Sequence, residues 1–198
     1  MTVSASKYAI KPNDLYETEP WATHAVCRAL RQLGLAQNGR TVWEPAAGNH
    51  KMVEPLLEAG AKTVITSDIC EYSQPHTATF DFLKNGVATF VPTHFDIVSN
   101  PPYGPSNRLA VKFAEQALTR CNGYVALLLT AKFDFGSTRK HLFRDNPRFA
   151  AKVALLDRIS WEDNGKTGTE DHAWYIWGPR EDSVSCPKLM YERNLAKL

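Results

Sequence analysis

Short apolar runs alternate with helix-like segments along most of this chain, and this alternation limits the possible fold more than any other feature. The strand-like runs occupy residues 41–43, 63–69, 77–83, 95–98, 124–130, 153–156 and 173–177. Apolar residues recur at helical spacing over 22–33, 52–57 and 109–118, and a basic helix is also predicted around 137–144. Alternating strands and helices are typical of α/β proteins. The sequence therefore predicts an open sheet of about seven strands, mostly parallel, with helices on both faces.

The strand that ends at Val98 leads into a rigid polar turn, Asn100-Pro101-Pro102-Tyr103. Neither proline can donate a backbone hydrogen bond, and each fixes its own φ. Pro101 also biases Asn100 away from the helical region. The backbone carbonyls are therefore held in place, the asparagine side chain is aimed, and an aromatic ring stands beside them. An ordinary Pro-Pro turn at the end of an edge strand is the alternative interpretation.

Such a turn suits the methylation of a planar NH2 group. The nitrogen of such a group is a poor nucleophile because its lone pair is delocalised into the π system. The Asn100 side-chain oxygen and the Pro101 carbonyl would accept hydrogen bonds from the NH2 hydrogens and direct the lone pair toward an electrophilic methyl. Tyr103 would stack on the flat substrate. The turn resembles the Asn-Pro-Pro-Tyr motif of S-adenosylmethionine-dependent amino-methyltransferases. These include DNA N6-adenine methyltransferases, some RNA methyltransferases and protein glutamine methyltransferases.

A small-residue turn between the first strand and the next helix has the arrangement that holds a nucleotide-like cofactor at the carboxyl edge of a sheet. The run Glu-Pro-Ala-Ala-Gly at 44–48 resembles the first cofactor motif of the same class. That resemblance implies that Glu44, Ala46 and Gly48 bind S-adenosyl-L-methionine. The chain departs from the motif at His50, which stands where a second glycine is usual. A side chain there would narrow the cofactor pocket or re-aim the turn.

Two further acids are predicted to bind the cofactor. Asp68 ends the second strand, followed by Ile69, and a carboxylate at that place in a Rossmann-like unit can accept both ribose hydroxyls. In related enzymes, an acid and the next residue after the third strand contact the adenine, and Asp81 and Phe82 fit that placement. The alternatives are a surface role for Asp68, a helix cap for Asp81 and a core position for Phe82.

The start of the chain is similar to the entry element that adenine methyltransferases place before their first strand. The resemblance implies that Tyr16, Thr18 and Pro20 lie near the cofactor, together with Asn100; a plain capping helix is the alternative. It also implies a Rossmann-like sheet whose last strand is antiparallel. It covers about residues 16–178, the expected core of a single domain spanning 1–198.

The charge distribution suggests a polyanionic partner, although the net charge is only +2. Residues 44–81 contain six acids against two lysines, whereas residues 132–158 contain seven bases against three acids. An acidic half would suit a cofactor rich in donors, and a basic half would suit nucleic acid. An ordinary solvated surface remains an equal alternative. DNA is expected more than RNA.

Composition narrows the protein class. The 198 residues suffice for one α/β domain. No apolar run is long enough to span a membrane, and the first residues lack the apolar core of a signal peptide, so a cytoplasmic location is expected. The four cysteines are far apart and the six histidines scattered. We therefore expect reduced cysteines and no metal site.

Three functions are compatible with these patterns. The first is methylation of adenine in DNA, or in RNA, with few segments for target recognition: residues 1–19, the turn after Tyr103 and the 160–171 loop. The second is methylation of a glutamine amide in a protein, although such enzymes usually carry an N-terminal helical domain. The third is a non-catalytic binding protein that keeps the fold; only His50 favours it.

Overall fold

Eight strands form one sheet in the computed structural model, which describes residues 12–84, 86, 88–161 and 167–197. The strands are β1 Thr41–Glu44, β2 Thr63–Asp68, β3 Ala78–Thr79, β4 Asp96–Ser99, β5 Val125–Thr130, β6 Phe149–Leu155, β7 His172–Trp177 and β8 Lys188–Glu192. The α-helices are α1 Pro20–Gln32, α2 Val53–Glu58 and α3 Arg108–Arg120. Single 3-10 turns occupy Pro12–Asp14, Pro105–Asn107, Ser137–Arg139 and Leu195–Lys197. None of the helices in these ranges has the length and apolar character needed to cross a membrane.

The strands lie in the order β3-β2-β1-β4-β5-β7-β6-β8. Every neighbouring pair is parallel except those of β7, which runs antiparallel to both β5 and β6. This confirms the predicted α/β fold with a mostly parallel sheet. The strand predicted to be last and antiparallel is β7, and β8 follows it as a further strand parallel to β6. The carboxyl ends of β1, β2 and β4 meet at one edge, where the predicted site residues follow the strands.

The sheet separates two apolar cores, one under α1 and α2 and the other under α3. Strand β5 contributes to both because successive side chains of a strand point to opposite faces. Ala126 and Leu128 face the first core, and Leu127 and Leu129 face the second. Burial on both faces explains the unbroken apolar run of this strand.

The sheet departs from the predicted strands at three places. Strand β6 begins at Phe149, four residues before the predicted run 153–156. Of the predicted run 77–83, only Ala78–Thr79 forms a strand, which pairs with β2. Asp81 to Leu83 follow it outside any strand. Residues 188–192 form β8, paired parallel with β6, although their sequence is weakly patterned. Only three apolar residues stand between Lys188 and Glu192, without alternation, and such a run is too short to predict a strand.

The predicted basic helix around 137–144 is wrong: a single 3-10 turn, Ser137–Arg139, is followed by further turns. Leu142 and Phe143 pack into the core beside α3, which fixes the segment by burial rather than by helical hydrogen bonds. The basic Arg148 beyond it is buried and donates to four carbonyl oxygens, those of Leu118, Cys121, Gly123 and Gly178. It therefore joins the end of α3 to the strands.

Candidate active site

Two cavities lie next to one another at the carboxyl edge of the sheet. The large cavity has a volume of about 900 Å³ and extends from the β1 turn to the start of α3. The small cavity has a volume of about 170 Å³ and lies between the end of β4 and the start of β7. Asp14, Tyr16 and Asn100 line both cavities. The predicted catalytic asparagine therefore stands where the two cavities meet.

The turn after β1 is fixed by Asp68 at the end of β2. Its Oδ2 accepts a hydrogen bond from the Gly48 amide at 3.0 Å, and its Oδ1 accepts one from the Ile69 amide at 2.7 Å. Gly48 has a φ of 47°, and a Cβ there would lie 2.8 Å from Leu15 Cδ1. The positive φ favours glycine at this position, and a larger residue would also push the end of the Leu15 side chain aside.

Glu44 is a buried acid at the wall of the large cavity. Its Oε2 has no hydrogen-bond partner in the described structure. Burial, and then the negative charge of Asp68, raise the pKa of Glu44 well above its ordinary value. A buried acceptor without a donor is costly, and a bound ammonium or N–H group would satisfy it.

His50 follows the same turn with a φ of 64°, a conformation that glycine adopts without strain. Its Nε2 lies 2.8 Å from Nδ1 of His76, whose Nε2 lies 3.2 Å from the Cys70 carbonyl oxygen. Because that carbonyl can only accept, His76 carries its proton on Nε2, and His50 donates to His76. The His50 side chain thus ties the turn to the segment after β2, outside the cavity lining.

Asn100 has a fixed amide orientation. Its Nδ2 donates a hydrogen bond to the Tyr16 carbonyl oxygen at 3.0 Å. This bond uses the donor end of the amide and leaves Oδ1 as an acceptor. Pro101 lines the small cavity beside it, and Pro102 lines the large one. The two acceptors that the sequence analysis identified therefore lie together.

Residues 13–19 form a strap across this edge of the sheet, here called the N-terminal strap. Besides the Tyr16 bond to Asn100, Asp14 accepts a hydrogen bond from the Gly104 amide at 2.7 Å. At the other end of the strap, Glu19 accepts one from the Ser160 amide at 2.7 Å. The strap therefore joins the turn after β4 to the loop before β7 and forms a wall of both cavities.

Aromatic rings wall the small cavity. Tyr103 donates its hydroxyl to the Leu128 carbonyl oxygen at 3.1 Å, and its ring stacks on His172 with centroids 6.1 Å apart. Trp161 meets His172 edge-on at 5.1 Å and Tyr16 at 5.9 Å. Burial lowers the pKa of His172 to about 4, so its imidazole is neutral at pH 7. The cavity thus offers flat aromatic walls beside Asn100, and two acids, Asp14 and Glu170, also line it.

Most of the predicted site residues meet at these cavities. The large cavity is lined by Tyr16, Thr18, Glu44, Ala46, Gly48, Asp68, Ile69, Asp81, Phe82, Asn100 and Pro102, and the small one by Pro101 and Tyr103. Pro20 instead begins α1. Sequence reasoning missed Trp161 and His172 as parts of a site. The sequence shows only an aromatic residue in a polar loop and a histidine at the start of an apolar strand, and neither feature alone indicates a cavity.

Three cations of the basic segment 132–158 have partners within the chain. Arg139 donates to the Phe133 carbonyl oxygen at 2.8 Å, and Arg144 pairs with Asp145 at 2.9 Å. Lys152 pairs with Asp134 at 2.8 Å. These cations are engaged by neighbouring groups. By contrast, the exposed Arg108 and Lys112 lie one turn apart on α3, which begins directly after the Asn100 turn.

Comparison with known proteins gives the fold context. No protein-family model and no curated protein matches the chain. A solved structure of a proposed RNA methyltransferase from Pyrococcus horikoshii is 16% identical, with a TM-score of 0.65 over 85% of this chain and 90% of that one. A proposed class I S-adenosylmethionine-dependent methyltransferase from Listeria monocytogenes is 14% identical, with a TM-score of 0.64 over 94% of this chain and 68% of that one.

A third similar structure is the methyltransferase subunit of a type I restriction-modification system from Streptococcus thermophilus. It is 14% identical, with a TM-score of 0.65 over 92% of this chain and 48% of that one. The chain thus spans about half the length of that subunit. Together these similarities show that the chain has the fold of class I methyltransferases.

Proposed function

We propose that this protein is an S-adenosylmethionine-dependent methyltransferase that acts on the exocyclic amino group of adenine in nucleic acid, with DNA favoured over RNA. One observation carries the proposal: Asn100 lies where two cavities meet. The large one is lined by the turns after β1 and β2, and the small one has aromatic walls. A methyl donor in the first and a flat amine in the second would meet at the Asn100 side-chain oxygen.

The large cavity supplies the groups that S-adenosylmethionine requires. Asp68 would accept the ribose hydroxyls, and Asp81 with the Phe82 amide would contact the adenine. The unpartnered, buried Glu44 would accept the amino group of the methionine portion. When bound, the cofactor supplies an electrophilic methyl group carried on a sulfonium. All of these residues are already placed at one cavity, which supports the assignment.

Asn100 and Pro101 would act on the target amine. The Tyr16 carbonyl holds the donor end of the Asn100 amide, so Oδ1 would be available to the substrate as an acceptor. Hydrogen bonds from the amine to Asn100 Oδ1 and the Pro101 carbonyl would withdraw the lone pair from the ring system. This interaction grows stronger as the methyl approaches, and it therefore lowers the barrier to transfer.

A heterocyclic base fits the small cavity better than a side-chain amide does. The walls contributed by Tyr16, Tyr103, Trp161 and His172 are flat, and a base has a π face that stacks on such rings. His172 adds no charge because its pKa is about 4. A base that enters this cavity must leave its helix, as in other enzymes that modify bases.

Cofactor binding should release a proton from Glu44. Burial raises the pKa of Glu44 and so favours its protonated form in the free protein, whereas a cation beside the carboxylate favours the ionised form. The affinity for S-adenosylhomocysteine should therefore increase with pH until Glu44 ionises in the free protein, by at most about tenfold per pH unit. Calorimetry in buffers of different ionisation enthalpy measures the released proton. An equal release in Glu44→Gln would contradict this assignment.

Nucleic-acid affinity should depend on Arg108 and Lys112. Changing both to glutamate should weaken binding to all duplex sequences alike and lower the slope of log affinity against log salt by about two. Titration at several salt concentrations measures both effects. Arg144→Glu is the matched control, because Arg144 is already paired with Asp145, and it should change the slope little.

A methyl-transfer assay tests the proposed function as a whole. The full chain is incubated with S-adenosylmethionine labelled in the methyl group and with DNA, RNA or a protein extract in separate reactions. We expect label in DNA, and less in RNA. Label in protein alone would favour glutamine as the target, and label in none of the three would contradict a methyltransferase of this class.

A further inference from the structure

Strand β8 carries an exposed apolar surface at one end of the sheet. Leu189 is 59% exposed and Tyr191 is 61% exposed. These residues are two apart, so they lie on the same face of the strand. In the parallel pairing with β6, Leu189 lies beside Lys152, whose ammonium contacts Asp134 and Tyr175 on the α3 side of the sheet. The exposed apolar residues therefore belong to the α3 side.

No helix of the described chain covers this part of the sheet. Helix α3 packs over β5, whereas β8 stands three places further along the strand order, about 14 Å away at the usual strand spacing of about 4.8 Å. Phe135 extends the apolar surface: its ring is 70% exposed and its centroid lies 5.5 Å from Lys152 Nζ. Parallel sheets normally have both faces covered, so this surface is unusual.

Among the residues that the structure describes, no strand pairs with the outer side of β8, which is the last strand of the sheet. The opposite edge strand, β3, has only two residues, Ala78 and Thr79. Strand β8 is a five-residue edge with three central apolar residues between Lys188 and Glu192, and an edge of this length is a template for pairing with another strand. The exposed face and the free edge thus occur on the same strand.

The sequence of β8 is complementary to itself. When two copies pair antiparallel about Met190, residues 188 and 192 lie opposite each other, as do residues 189 and 191. Lys188 then faces Glu192, and Leu189 faces Tyr191, twice in each pair of strands. Arg28 already binds Glu192 through Oε2 at 2.8 Å, and a carboxylate can accept from a second cation.

The neighbouring registers are worse. A two-fold axis normal to the sheet keeps each residue on its own face, so the axis must pass through a residue position. The nearest alternative centres are therefore Leu189 and Tyr191. Centring the pair on Leu189 places Pro187, which has no N–H group, within the ladder. Centring it on Tyr191 leaves Glu192 opposite Met190 and loses both charge pairs.

We propose that β8 is a dimerisation strand, which pairs antiparallel with β8 of a second copy about Met190 and joins the two sheets into one. This inference does not depend on the proposed function. Because the two copies are antiparallel, their candidate active sites open at opposite edges of the joined sheet.

Light scattering coupled to size exclusion tests the proposal on the full chain. The native protein should have twice the chain mass of 22.2 kDa. Leu189→Lys with Tyr191→Lys places like charges opposite each other and should raise the dimer dissociation constant at least about tenfold, with an unchanged circular dichroism spectrum. Leu57→Lys, on an exposed apolar residue of α2, is the matched control and should remain dimeric.

A cross-link tests the register. In a Cys186→Ser background, Met190→Cys should form an intermolecular disulfide on mild oxidation because the two Cα atoms lie opposite each other, about 4.5 to 5.5 Å apart. Leu189→Cys should not, since it faces Tyr191. A native protein that stays monomeric at micromolar concentrations would overturn the proposal. So would a dimer that persists in the double lysine variant, or one that Met190→Cys does not cross-link.

Discussion

Replacing Asn100 with alanine should lower kcat about 10²- to 10³-fold, the usual effect of removing one polar group that acts on the transition state. The interaction of Oδ1 with the amine is stronger in the transition state than in the ground state, so affinity for S-adenosylhomocysteine should change little. Single-turnover kinetics together with calorimetry separate the two effects. Near-native turnover would show that the turn positions the backbone without taking part in the chemistry.

Two companion variants make this result interpretable. Ser99→Ala is the matched control: Ser99 is buried next to Asn100, and its hydroxyl has no hydrogen-bond partner among the described residues, so its removal should leave kcat unchanged. Asn100→Asp keeps an acceptor but places a carboxylate oxygen against the Tyr16 carbonyl. We expect partial activity from it and a weaker attachment of the N-terminal strap.

Replacing Asp68 with alanine should weaken S-adenosylhomocysteine binding by about 1–3 kcal/mol, a factor of roughly 5 to 150. The loss has two causes. The ribose hydroxyls lose their acceptor, and the amides of Gly48 and Ile69 lose the carboxylate that fixes the cofactor turn. Calorimetry measures the affinity, and thermal unfolding reports any loss of folded protein.

Glu71→Ala provides the matched control for Asp68. Glu71 is an exposed acid three residues further along the chain, so its removal changes the net charge equally and should leave cofactor affinity unchanged. If Asp68→Ala bound S-adenosylhomocysteine as tightly as the native protein, the large cavity would not be the cofactor site in the proposed orientation.

The central part of the fold could be predicted because its strands are buried on both faces. The apolar run of β5 and the polar residues at the carboxyl ends of β1, β2 and β4 mark these strands to within about one residue. Parallel strands bring their carboxyl ends to one edge, so Glu44, Asp68 and Asn100 come together by topology alone. Their roles in binding and catalysis remain predictions.

The peripheral features could not be predicted, because they depend on contacts between distant residues. Trp161 and His172 become walls of a cavity only when the loop before β7 packs against the strap, 141 residues away in sequence at the Glu19–Ser160 bond. The predicted basic helix failed because core packing of Phe143 outweighs helical periodicity there. His50 stabilises the turn after β1 through its hydrogen bond with His76, a pairing that no local sequence pattern indicates.

Identification of the methylated product tests the central claim most directly. Unmethylated DNA is incubated with the native protein and S-adenosylmethionine, digested to nucleosides and analysed by mass spectrometry, with Asn100→Ala in parallel. The account predicts N6-methyl-2′-deoxyadenosine with the native protein and a rate of formation at least about 10²-fold lower with the variant. A methyl group on a ring carbon or ring nitrogen, or equal product from both proteins, would contradict it.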